Sequence, residues 1–158
     1  MRTVDPETCV FCELVAGKLP ISVIDETEDV VALMDIQPVN PGHILIIPKR
    51  HAPYLADLDP TLGGHIFAMG MRVAAALRTC GVRCEGVNLL LADGKAAGQE
   101  VFHAHLHVFP HFVGDGVGLK FSPKYFVLPS RADLDDIAKD IRNAMRAQPG
   151  NNGAVESC

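Results

Sequence analysis

The feature that most restricts this chain is the run Gln99-Glu100-Val101-Phe102-His103-Ala104-His105-Leu106-His107-Val108-Phe109. Histidine alternates with apolar residues, a period of two that reads as a β-strand. Residues two apart on a strand share a face, about 7 Å apart at Cα. His103, His105 and His107 are thus expected on one face, with Ala104, Leu106 and Val108 turned into a core. Pro110 is expected to end the strand or keep it at a sheet edge. Three imidazoles in phase suit two chemistries. One is metal binding, as neutral imidazole is a common ligand. The other is attack on phosphorus by one ring nitrogen while its neighbours orient it and pass protons.

The 158 residues suit one domain with a sizeable core, expected over 1–147, with 148–158 a disordered, Gly- and Asn-rich tail. The formal charge of −5 and the lack of a long basic run argue against a nucleic-acid polymer or an anionic membrane as partner, but not against a small nucleotide. No apolar run approaches the ~20 residues of a membrane span. The polar start lacks a signal segment, so the expected location is the cytoplasm. Five cysteines, an odd number, fit thiols or metal ligation better than a disulfide framework.

Cys9 and Cys12 form a Cys-x-x-Cys pair, a zinc half-site or a redox pair, with a short helix expected over Glu13–Lys18. Val23–Glu26 and Asp29–Met34 read as strands joined by a tight turn. Asp35 follows, either a solvated turn residue or an acceptor for paired hydroxyls such as those of a ribose. The loop Gln37–Gly42 leads into the buried strand His43–Pro48. Asp59 can cap, and Pro60 can begin, a long helix ending near Gly81. Its apolar face is Leu62, Ile66, Met69, Val73, Ala76 and Leu77. Gly86–Leu91 is a further strand, and 111–118 a loop. Arg131–Met145 is a second amphipathic helix with the stripe Leu134, Ile137, Ala138, Ile141 and Met145.

Taken together, these motifs resemble the histidine triad (HIT) family of nucleotide-binding proteins. The resemblance rests on His103-Ala104-His105-Leu106-His107-Val108-Phe109, on Pro41-Gly42-His43-Ile44-Leu45-Ile46-Ile47-Pro48-Lys49, on Asp35-Ile36 and on Gly98-Gln99, in that family's order. It implies an α+β fold with a central antiparallel sheet of about five strands, one long helix, a short N-terminal helix and a C-terminal helix. It also implies a homodimer. The implied activity is hydrolysis or transfer at the α-phosphate of a purine nucleotide, on phosphoramidates or dinucleoside polyphosphates, through a covalent nucleotidyl-histidine. His105 matches the nucleophile, His107 and His43 its partners near the phosphate, and Gln99 a residue aiding the phosphate or leaving group. Phe11, Leu19, Leu33, Asp35, Ile36, Asn88, Gln99, Val101, His105 and His107 match the nucleotide-binding set. Cys9, Cys12, His51 and His103 match the structural Zn²⁺ ligands of a zinc-containing, bacterial-type branch. The chain departs at Ala92, where Asn or Gln is frequent, at Glu100, where Ser or Thr is frequent, and at His111, where Arg is frequent. Two readings compete with the hydrolase: a nucleotide- or partner-binding module with vestigial catalysis, and a metal-dependent enzyme using all three triad histidines as ligands.

Overall fold

The computed structural model describes residues 9–148, so the segments 1–8 and 149–158, and the expected tail with them, lie outside the described residues. A first compact unit ends at Val117 and a second begins at Gly118. The first unit runs α1 Val10–Val15, β1 Val23–Glu26, β2 Val30–Met34, β3 Ile44–Pro48, α2 Pro60–Leu77, β4 Gly86–Leu90 and β5 Leu106–His111. The strands form one antiparallel sheet in the order β1-β2-β3-β5-β4. This is the α+β arrangement implied by the resemblance.

β2 and β3 are apolar throughout because the sheet is covered on both faces at its centre. On one face Val30, Ala32, Ile44, Ile46, Leu106 and Val108 pack against Ile66, Met69, Val73 and Leu77 of α2. On the other face Val31, Leu33, Leu45 and Ile47 meet Cys9 and Phe11 at the start of the chain. α2 begins as the sequence predicts, with Asp59 accepting from the Thr61 N–H at 2.8 Å. α1, however, starts at Val10 rather than Glu13. Burial of Phe11, with Leu14 and Val15 beside it, draws the first turn onto the sheet. Cys9 and Cys12, three apart at the helix start, thereby lie on one side of it.

The histidine run departs most from expectation. Only Leu106–His111 is strand, and 99–105 is a loop. β3 pairs with β5 only as far as Ile46↔Leu106, because beyond it Pro48 has no N–H to donate and its carbonyl is taken by the His103 side chain. Pro110 does not end β5, which continues to His111. Opposite β3 the ladder stops at Val108, so the N–H that Pro110 lacks has no strand to meet, and its carbonyl accepts instead from Asn40 Nδ2 at 2.9 Å.

The second unit contains α3, Arg131–Arg146, with a capping box between Ser130 and Asp133. The stripe residues Leu134, Ile137, Ile141 and Met145 are exposed.

Gly42 sits at φ +99°, and a Cβ there would lie 3.0 Å from Val82, 3.2 Å from Leu77 and 3.3 Å from Pro110. Gly42→Ala is therefore expected to cost about 1–3 kcal/mol, the scale of a strained backbone position. Denaturant unfolding of the two proteins measures it.

Candidate active site

The three triad histidines face different tasks, His103 and His105 at the end of the loop 99–105 and His107 on β5. His103 is fully buried. Its Nε2–H donates to the Pro48 carbonyl at 2.8 Å, which leaves Nδ1 as a lone pair. That lone pair faces Cys9 Sγ at 3.5 Å and Cys12 Sγ at 3.6 Å, and His51 Nδ1 lies 3.3 Å from Cys12 Sγ. The four ligand atoms lie within 4.8 Å of one another, a compact donor set of two thiols and two imidazoles. Burial pushes the Cys12 thiol up to about 11, helped by Cys9, and pushes His103 down to about 4. A bound cation would reverse the thiol's preference for its proton.

His105 donates Nδ1–H to the His103 carbonyl at 2.7 Å. Its Nε2 is therefore the unprotonated nitrogen. The Phe11 ring packs edge-on against it, centroids 4.9 Å apart. His43 Nδ1 accepts the Val39 main-chain N–H at 3.1 Å, so His43 carries its proton on Nε2 and donates it to His107 Nδ1 at 2.9 Å. His107 is left with Nε2–H. Asp35 Oδ2 stands 3.5 Å from His43 Nδ1, but that nitrogen already accepts from Val39, so Asp35 acts there as a nearby charge. Burial holds His43 and His105 below the ordinary histidine range and His107 at about 4, with Asp35 partly opposing. All three rings are neutral at pH 7. The triad histidines do not converge on one point, and among the described residues no metal-ligand cluster holds all three. The reading in which they are joint ligands fails on this geometry.

His43, His105 and His107 open onto a cleft of about 790 Å³, also lined by Phe11, Leu19, Leu33, Asp35, Ile36 and Val101. Two residues of the expected nucleotide set are absent from this lining. Asn88 projects from β4 as an exposed residue. Gln99 is buried and turned into its own loop: Oε1 accepts from Gly94 N–H at 2.8 Å, and Nε2 donates to the carbonyls of Pro53 at 2.8 Å and Val101 at 3.1 Å. Sequence reasoning missed the Val39 N–H, since a main-chain donor leaves no mark in residue identity. It also missed the role of Pro48, whose carbonyl sets the His103 tautomer.

The family description "HIT domain" matches residues 16–114. A HIT family protein from Bacillus anthracis superposes with a TM-score of 0.79 at 34% identity, over 87% of this chain and 97% of that one. A zinc-bound histidine triad family protein from Mycobacterium smegmatis gives 0.69 at 36% identity, over 89% and 99%. Adenylylsulfatase HINT3 from Arabidopsis thaliana is 36% identical over 106 residues, 65% of this chain and 51% of that protein. The chain belongs to the histidine triad family, whose members include nucleotide-binding proteins and hydrolases.

Gln99→Ala would strip partners from Gly94 N–H and from the Pro53 and Val101 carbonyls. The expected loss is about 1–3 kcal/mol, the desolvation cost of such groups. Denaturant unfolding should show it, with faster amide exchange at Gly94.

Proposed function

We propose that this chain is a nucleotidyl hydrolase or transferase acting at the α-phosphate of a purine nucleotide, through a transient bond between phosphorus and His105 Nε2. The observation that carries the reading is the pairing of two oppositely prepared nitrogens in one cleft. His105 Nε2 is a bare lone pair because Nδ1–H is pinned to the His103 carbonyl. His107 Nε2 bears a proton because Nδ1 accepts from His43. The first suits attack on phosphorus, and the second suits a phosphoryl oxygen as its negative charge grows. The P–N bond forms as the bond to the leaving group breaks, and water then cleaves the P–N bond and frees the imidazole. The apolar end of the cleft, with Phe11, Leu19 and Leu33, suits a purine, and Asp35 suits the ribose hydroxyls. Gln99 supports the reacting groups through the loop it braces rather than by touching substrate.

The donor set of Cys9, Cys12, His51 and His103 fits zinc. A tetrahedral centre with Zn–S near 2.3 Å and Zn–N near 2.0–2.1 Å puts adjacent sulfur and nitrogen ligands about 3.5 Å apart. The sulfur–nitrogen separations of 3.3, 3.5 and 3.6 Å agree. Four protein ligands leave no open position, so the ion would be structural, tying α1 to the loop that carries the nucleophile. The free edge of β4, with Leu90 48% exposed, supports pairing with a second copy as a homodimer. No described helix is long and apolar enough to cross a membrane.

His105→Ala is expected to abolish turnover of an adenosine phosphoramidate while AMP binds nearly as in wild type, since the reacting atom goes and the cleft stays. Rapid quench with labelled substrate should place an acid-labile adduct on His105. Substantial turnover by the variant would sink the assignment, and AMP binding without turnover by wild type would leave a binding module. For the metal, elemental analysis should find about one zinc per chain, as a four-ligand site requires. Cys9→Ser should lose it and melt at lower temperature.

A further inference from the structure

The cleft wall is uncommon for a phosphate site: among the described residues its lining contains no lysine and no arginine, and its acidic side chains are Asp35 and Glu100. The donor prepared for a phosphoryl oxygen is a neutral imidazole N–H on His107, fixed by the relay from Val39 through His43. The two carboxylates come from separate walls, Asp35 on the chain leaving β2 and Glu100 on the loop entering β5. Asp35 is engaged, with Oδ1 accepting from the Gln37 N–H at 2.8 Å and Oδ2 beside His43. Glu100 is exposed, and among the described residues its carboxylate makes neither a hydrogen bond nor an ion pair. Its backbone is held through its neighbour. Gln99 beside it is anchored at both ends of its amide, which sets the backbone of the loop.

A single phosphodiester-like charge would meet the His107 donor, and no cation of the described lining would match further charge. Each added phosphate of a polyphosphate chain would bring like charge toward an uncompensated carboxylate, and a cationic group would find a partner there. Resting on the nucleotide reading above, we propose that Glu100 is a specificity-determining residue that selects leaving groups bearing positive charge, such as amines with a second ammonium, against anionic polyphosphate leaving groups.

Stable AMP derivatives separate this proposal from the reading beneath it, because they report binding without turnover. Calorimetry on the full chain would compare the 2-aminoethyl phosphodiester of AMP, its uncharged propyl counterpart, and ADP. Wild type is expected to bind the aminoethyl ester about threefold tighter than the propyl ester, the size of a solvent-exposed ion pair, and ADP more weakly than either. The gap should shrink at high ionic strength, which a purely steric role would not produce. Glu100→Gln should bring the three affinities together, and Glu100→Lys should place ADP first. Equal affinity of wild type for the two esters, or a preference that persists in Glu100→Gln, would overturn the selection by Glu100 while leaving the nucleotide reading intact. Failure of wild type to bind AMP itself would overturn both.

Discussion

His103 has no unused polar atom. Its ring Nε2–H is held by Pro48, its ring Nδ1 faces the thiols of Cys9 and Cys12, its carbonyl receives the proton of His105, and its amide donates to Val101. One fully buried residue thus joins the end of β3, the start of α1 and the His105 imidazole. Around it the other elements fall into place. α1 must approach closely enough to present both thiols, which sets Phe11 against His105. The loop must leave the ladder to release the His103 side chain toward Pro48, which is why β5 begins only at Leu106.

Much of this was legible in the sequence. The apolar runs of β2 and β3 and the cap and stripe of α2 follow from residue identity and spacing, and the cluster of Cys9, Cys12, His51 and His103 was implied by the family resemblance. Period-two alternation across 99–105 was misleading. The pattern there reflects apolar residues packing under a loop, and the term that decided against a strand was a missing donor at Pro48, on a strand far away in sequence. Pro110 misled in the opposite direction, because a proline is tolerated where the strand on its N side, β3, has already ended. Likewise Gln99 sits at an expected site position, but its amide is consumed by three main-chain groups.

The second unit follows a simpler logic. Ser130 and Asp133 close a capping box and the stripe from Leu134 to Met145 follows helical spacing, so α3 is written in local terms alone. The first unit is the reverse case: its site depends on pairs as far apart in sequence as Cys9 and His103.

The tautomers of the site are set by main-chain groups: Val39 N–H for His43, and through it His107; the His103 carbonyl for His105; the Pro48 carbonyl for His103. A main-chain amide or carbonyl survives almost every codon change. The protonation pattern is therefore inherited with the path of the backbone rather than with any supporting side chain. Surrounding residues can drift, and the walls of the cleft can be rewritten for new ligands, without scrambling which nitrogen is bare and which carries hydrogen. The vulnerable points are those where the path itself has no substitute, and Gly42, one residue before His43, is among them.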